Sequence, residues 1–373
     1  MQSTSPLRRD VLLDRVLPSS HASFLHRSQK SGTLFVVFFL GQREGAPGNG
    51  IALSRFDDAA DTWSTPVVLV SDPRFSMQNP VLFDAPGGLL ALLHTCQDAG
   101  PFGISQRTSS VLQWTSSDDG RTWTEASQAV FPRGHGAFIR GPVITKVANP
   151  LHRMLPLYFT PSGEFDHASQ RAGIVDSHDG GLTWDNVTQV RSIPGTEGAV
   201  GVQPQVVRLP SGELVAFFRN RTERLGHRVG MSVSGDDGVT WSPLLPTELP
   251  SNNSSVAAVV LPDGRVVVAF NNALSARFPL SLAVSSDGGV TFDRVFDLVG
   301  SDVQGGGEPG FTGPRGLAGE HSYPSLWLDA DRGRLWISWT HQRLTIAICE
   351  LRLEFFNGPG EVSCGEWNPQ TTV

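Results

Sequence analysis

Six times along the chain a short apolar run opens behind a polar residue, turns, and is followed by a second apolar run that ends in polar residues. The first runs begin at His21 (HASFL), Gln78 (QNPVLF), Arg140 (RGPVI), Gln203 (QPQVV), Ser254 (SSVAAVVL) and Tyr323 (YPSLWL). The second runs are TLFVVFFLGQRE, LLALLHT, MLPLYFT, ELVAFFRNR, RVVVAFNN and RLWISWTHQR. Near-continuous apolar stretches of this length, bounded by turn residues, are the pattern of strands buried on both faces. The pattern predicts six copies of one sheet unit, each built on an inner hairpin.

An octet, S-x-D-x-G-x-T-W, marks the far end of the units. Ser116 to Trp123 reads SSDDGRTW, Ser177 to Trp184 reads SHDGGLTW, and Ser234 to Trp241 reads SGDDGVTW. Ser285 to Phe292 reads SSDGGVTF, and a worn copy near Ser54 keeps only Thr62-Trp63. The copies fall roughly 50–60 residues apart, the length of a four-stranded propeller blade. Asp binds nearby backbone N–H groups and Gly accepts positive φ, so the octet makes a tight turn. Its aromatic residue is then free to pack between sheets. These Asp residues are expected to be structural, with Trp123, Trp184 and Trp241 near the outer edges. The expected fold is all-β, a six-bladed β-propeller with these turns. It is one domain over residues 1–373, with a short lead-in at 1–18 and a tail at 357–373.

Composition narrows the function. Forty Gly and 26 Pro in 373 residues favour many short strands and turns. A net charge of −7 makes nucleic acid and anionic membranes poor partners. No apolar run reaches the roughly 18 residues needed to cross a bilayer. The opening MQSTSPLRRDVLLDRVLPSS lacks the apolar core of a signal peptide. That places the protein inside the cell unless a leader has been removed. Three Cys do not make a disulfide framework, although Cys349 and Cys364 are close enough in sequence for a bridge. Asn186, Asn220, Asn252 and Asn253 open glycosylation triplets, which arise readily by chance. His94, His135 and His341 could serve as acid, base or rim residues; no pair of them has metal-ligand spacing, so neither metal nor cofactor is expected.

In an antiparallel pair the start of one strand lies beside the end of the next. The polar openings and closings of all six hairpins therefore converge at one mouth of the propeller. They bring together His21, Gln42, Arg43 and Glu44; Gln78, Asn79 and His94; Arg140, Tyr158 and Thr160; Gln203, Arg219 and Arg221; Ser254, Asn271, Asn272 and Arg277; Tyr323, His341 and Arg343. This predicted face carries six Arg against chiefly Glu44 and Glu320, in an acidic protein. Arg holds carboxylates through paired, charge-assisted hydrogen bonds. The expected ligand is a small anion, an acidic sugar.

The octets are Asp boxes, and from about His21 to Leu353 the chain resembles the sialidase superfamily, specifically its divergent branch with BNR-like repeats. The resemblance implies three Arg on the substrate carboxylate, a Tyr nucleophile with a Glu partner, and a carboxylic acid/base. Tyr323 matches the nucleophile, Arg219 the second Arg and Arg277 the third, while Glu44 falls near the acid/base. His21 stands where the first Arg would be. Gln203 stands where the partner Glu would be, and an amide cannot take a proton; Glu320 is the nearby carboxylate. Arg140, Gln203, Asn79, His94, Arg343 and Asn272 are expected to contact the substrate. Three functions follow. The first is a sialidase-like hydrolase of a carboxylate-bearing sugar. The second is the same scaffold turned to other chemistry, such as a uronate lyase with His21 or Tyr323 as base, or a biosynthetic enzyme steering a cyclisation or cycloaddition. The third is a non-catalytic glycan-binding propeller.

Overall fold

A computed structural model of the chain describes residues 8–100, 103–104, 106, 109–126, 129–160, 169–186, 189–300, 319–357 and 370–371. The six predicted hairpins are the inner halves of six sheets. Blade 1 runs outward through Ser19–Arg27, Leu34–Gly41, Gly50–Asp57 and Thr62–Trp63. Blade 2 follows with Phe75–Ala85, Leu89–Gly100, Ser110–Ser116 and Thr124–Glu125. Blade 3 has a broken inner strand, Phe138–Ile139 and Ile144–Thr145, then Arg153–Phe159, Arg171–Ser177 and Arg191–Ser192. Blade 4 is Gly201–Arg208, Leu214–Asn220, Arg228–Ser234 and Leu245–Pro250. Blade 5 is Ala257–Val260, Val266–Asn271, Leu280–Ser285 and Arg294–Val299.

Blade 6 closes the ring. Its strands His321–Asp329, Arg334–His341 and Thr345–Arg352 are completed on the outside by Arg8–Leu12, from the other end of the chain. Arg8 pairs with Leu351 and Leu12 with Ala347, antiparallel. Part of the predicted lead-in is thus a structural strand, the fourth of the last blade, and Gln370–Thr371 pairs parallel with it on the outside. The closure is reinforced by aromatic packing. Trp336 of blade 6 lies 4.9 Å from Phe56 and 6.0 Å from Trp63 of blade 1, ring centre to ring centre.

The octets end the third strands of blades 2 to 5. In the first, Ser116 Oγ donates to Asp118 Oδ1 at 2.7 Å and accepts from the Gly120 N–H at 2.8 Å. Asp118 also accepts from the N–H and the hydroxyl of Thr122. The same bonds recur at Asp179, Asp236 and Asp287. Hydrogen bonds from Thr240 hold the Asp236 carboxyl down at about 2. Every acceptor oxygen is used within its own turn, which leaves these carboxylates no part in chemistry. Trp184 lies between blades, against Phe83 and with its indole N–H on Gln113 Oε1 at 2.9 Å, far from the central mouth. Cys349 is buried, and Cys364 lies outside the described residues.

Candidate active site

The inner strands are not regular. Four of them skip register, between His21 and Phe24, Gln78 and Val81, Val202 and Gln205, and Ser322 and Ser325. Within each skip one residue adopts positive φ: Ala22 at 56°, Asn79 at 48°, Gln203 at 53° and Tyr323 at 55°. The left-handed region costs an L-residue roughly 1–2 kcal/mol, so four such residues at one depth mark a position where the fold accepts strain. Pro80, Pro204 and Pro324 follow three of them. Proline has no N–H to give a ladder and belongs at such bulges. Asn79, Gln203 and Tyr323 are therefore equivalent positions on blades 2, 4 and 6.

Tyr323 is the centre of the site. Its hydroxyl accepts a hydrogen bond from Arg219 Nη1 at 2.5 Å. The guanidinium carbons of Arg277, Arg140 and Arg219 lie 5.4, 5.5 and 5.8 Å from its ring centre. Burial pushes the phenol up, but Arg219 and Arg277 outweigh it and hold the phenol below its ordinary value. Arg219 Nη1 also reaches Gln203 Oε1 at 3.3 Å, so the amide shares its donor with the phenol. Arg219 and Arg277 meet on Asn253: Arg219 Nε donates to Asn253 Oδ1 at 2.8 Å and Arg277 Nη2 to its backbone carbonyl at 3.3 Å.

A chain of charges leads from there to the rim. Arg277 binds Glu320 at 2.8 Å, Glu320 binds Arg343 at 2.9 Å, and Arg343 binds Glu44 at 2.6 Å. Burial pushes the Glu320 carboxyl up, but Arg343 and Arg277 overcome it and hold it at about 2. Arg343 is thus matched by two carboxylates. Among the described residues Arg219 bonds neutral acceptors and the phenol: Asn253, Gln203 and Tyr323. Its charge is thus not matched by a carboxylate among these contacts and is on offer to an incoming anion.

His21 lies against the other side of the phenol, ring centres 4.2 Å apart. Its Nδ1 is 2.7 Å from Thr340 Oγ1, and that hydroxyl also accepts the Ala22 N–H at 3.1 Å. The Thr340 hydroxyl can donate to Nδ1 or accept from it, and His21 Nε2 is buried with no hydrogen-bond partner among the described residues. Burial, with Arg343, Arg277, Arg140 and Arg219 around it, keeps His21 neutral, well below its ordinary pKa.

Two expected ligand contacts are corrected. Arg140 is fully buried, and its guanidinium is spent on backbone carbonyls: Ser23 at 2.7 Å, Tyr323 at 2.9 Å and Pro324 at 2.9 Å. His94 is buried inside blade 2, where its Nε2 accepts the Trp114 indole N–H at 3.2 Å. Strand alternation explains the miss, since Thr95, one residue on, pairs with Gln78 beside the mouth. Asn272 is exposed at the start of the loop that carries Arg277. Glu44 stands on the rim, paired with Arg343. Asn253 and Thr340 are the residues that sequence reasoning missed. Asn253 drew notice only as a glycosylation triplet, and its φ of 63° gave no sign in the sequence. Among the described residues no group of three or more His, Cys, Asp or Glu is arranged to hold a metal.

Comparison with known proteins fits this architecture. The BNR repeat-like domain family matches residues 32–337. No curated protein matches the chain in sequence. Among solved structures, a protein of unknown function from Dyadobacter fermentans superposes with a TM-score of 0.68 at 16% identity, covering 93% of this chain and 100% of that one. The Hadza microbial sialidase Hz136 gives 0.68 at 17% identity, covering 90% of this chain and 66% of its own. The Penicillium chrysogenum alpha-L-arabinanase complexed with arabinobiose gives 0.64 at 14% identity, covering 93% and 98%. Trypanosoma rangeli sialidase in complex with the inhibitor DANA gives 0.62 at 14% identity, covering 92% of this chain and 57% of that one. At these identities the likeness is one of fold.

Proposed function

The chain belongs to the BNR repeat-like family, and from that premise we propose that it is a sialidase-like glycoside hydrolase acting on a small sugar that bears a carboxylate. The observation that carries the reading is the Tyr323 hydroxyl, held at 2.5 Å by Arg219 on the channel axis and depressed in pKa by Arg219 and Arg277. In this reading the sugar carboxylate lies against Arg219 and Arg277. As the sugar binds, the Tyr323 phenol loses its proton to solvent and its oxygen attacks the anomeric carbon; the glycosidic C–O bond breaks with the departing oxygen taking up a proton, and water then cleaves the Tyr–sugar bond and restores the phenol. A phenol suits an anionic substrate because it need not carry full charge as the sugar enters. Glu44 at the rim is the acid for the departing oxygen. Arg343, already matched by Glu320 and Glu44, adds little free charge. The site therefore suits a monoanion better than a dianion.

A second reading keeps the pocket and changes the reaction. Where a hydrolase would place a carboxylate beside Tyr323, this chain has the Gln203 amide, with neutral His21 against the phenol ring. A Tyr–His pair without a carboxylate suits proton abstraction beside a uronate carboxylate, followed by elimination. Purified protein incubated with a fluorogenic sialoside and, separately, with uronate-containing oligosaccharides separates the two. Release of fluorophore that is lost in Tyr323→Phe supports hydrolysis. Unsaturated uronate products without fluorophore release support elimination. Neither product, with a sugar acid still bound measurably, would make the propeller a binding module.

A further inference from the structure

Arg140 is a buried cation with no carboxylate on it among the described residues. It leaves the inner strand of blade 3 and reaches carbonyls on blades 6 and 1. Blade order around the ring puts blade 3 opposite blade 6, so the side chain spans the channel. Past it, the same inner strands line the channel with apolar side chains, among them Phe24, Leu82, Val143 and Leu326. Arg140 thus sits between the polar mouth and an apolar stretch, in a place where charge is costly unless compensated.

Two of its three acceptors are consecutive carbonyls, those of Tyr323 and Pro324, presented to one guanidinium nitrogen by the bulge at Tyr323. In a regular strand successive carbonyls point to opposite sides. The paired acceptors and the positive φ of Tyr323 are thus one feature, and Arg140 is what satisfies it. The guanidinium carbon also lies 5.5 Å from the Tyr323 ring centre. We propose that Arg140 is a positioning residue for Tyr323: its fork locks the bulge that aims the phenol into the mouth, with its cation against the phenol ring.

The proposal deepens the hydrolase reading and rests on Tyr323 being its reactive group, but it concerns a state of the free protein. The charged and titratable groups facing Tyr323 are Arg219 from blade 4, Arg277 from blade 5, Arg343 from blade 6, Glu44 and His21 from blade 1, and Tyr158 with Arg140 from blade 3. Burial depresses Arg140 to about 10, and Tyr323 is the neighbour that supports its charge.

The chain has only two tyrosines, and burial pushes Tyr158 far above its ordinary value, so Tyr323 can be followed alone. The experiment is an NMR pH titration of full-length protein isotope-labelled at tyrosine Cζ, whose shift reports ionisation. Tyr323→Phe assigns the signal. In Arg140→Met the Tyr323 midpoint should rise by at least about one pH unit, a tenfold loss of ionisation. Arg140→Lys keeps a charge but has one shorter-reaching nitrogen where the fork has two, so it cannot hold the Ser23 carbonyl and the Tyr323–Pro324 pair together. Its midpoint should stay near the wild-type value while the Tyr323 signal broadens or splits. If Arg140→Met does not fold, Arg140→Lys decides alone: a sharp single Tyr323 signal like the wild type's overturns the proposal. So does an unmoved midpoint in a folded Arg140→Met. Because no substrate is used, neither result depends on which reaction the protein catalyses.

Discussion

Gln203 and Tyr323 face one another across a single nitrogen: Arg219 Nη1 lies 3.3 Å from the amide oxygen and 2.5 Å from the phenol oxygen. Both residues occupy the positive-φ bulge of their inner strands, at 53° and 55°. The pairing therefore comes from the backbone of two blades and not from chance side-chain reach. It places an unprotonatable group where a proton acceptor would complete a nucleophile. The reaction must then draw its activation from the guanidinium field or from His21.

Tyr323→Phe removes the hydroxyl and keeps the ring that packs against His21. If the phenol is nucleophile or general base, kcat should fall by at least about 100-fold, the usual loss for an acid–base group. The melting temperature should change little. A loss nearer tenfold would reduce the hydroxyl to a ligand hydrogen bond worth about 1–1.5 kcal/mol. Steady-state kinetics beside a thermal melt decide between them.

Arg219 and Arg277 should behave differently although they meet on Asn253. Arg219→Met removes a cation that bonds Asn253, Gln203 and the phenol. It should weaken ligand binding or catalysis by roughly 2–5 kcal/mol, with a modest effect on folding. Arg277→Met also strips one of two cations from buried Glu320. Breaking a buried pair of this kind costs about 3–5 kcal/mol of stability. Denaturant unfolding of both variants tests the contrast. Equal stability of the two would mean that Glu320 does not need Arg277.

Acid should unfold the protein in two stages. Burial holds His94 and His341 at about 4 and His321 at about 3. All three are neutral in the fold but take protons in the unfolded chain near pH 6.5. Their stability contribution is complete above pH 6.5 and is lost as pH falls toward those lower values. Glu320, held at about 2, adds a second loss as pH falls from about 4.5 toward 2. That shift corresponds to about 3 kcal/mol. Unfolding measured across this range in wild type and Glu320→Gln should show the lower stage shrink but not vanish, because Asp236 and Asp287 are also held at about 2, while the upper stage persists. A flat profile between pH 6.5 and 4.5 would contradict the buried neutral imidazoles.

The repeat architecture was legible because octets and apolar hairpins are local patterns that any blade must carry. Tyr323, Gln203, Arg219, Arg277 and Glu44 were legible because strand polarity alone brings hairpin ends together. What failed was finer than polarity. His94 is one residue out of phase with the mouth, a matter of pleat. Arg140 shares the opening position of its strand, but its length lets it cross the channel and bind backbone. The bulges had a trace in the sequence, the proline after Asn79, Gln203 and Tyr323, which the apolar pattern does not read. Strand Arg8–Leu12 was hidden because its partner, Thr345–Arg352, lies at the far end of the chain.

Gln203→Glu is the sharpest test of the hydrolytic reading. The variant places a carboxylate within reach of Arg219 and beside Tyr323 without changing side-chain length. Its negative charge would pair with Arg219 and supply the missing acceptor for the phenol proton. General bases contribute about 10²–10⁴-fold, and a newly introduced one seldom reaches the full value. If Tyr323 attacks a sugar in this protein, Gln203→Glu should raise kcat on a sialoside by at least about tenfold. It should also add a second carboxylate to the pH dependence of the rate, titrating below the ordinary Glu range because Arg219 pairs with it. If the site instead works by elimination with His21 as base, the added negative charge would repel the substrate carboxylate and reduce the lyase rate. The same substitution therefore moves the two activities in opposite directions. A variant that lowers both would show that Gln203 is itself needed as an amide donor to the ligand, and the sialidase parallel would fail at that position.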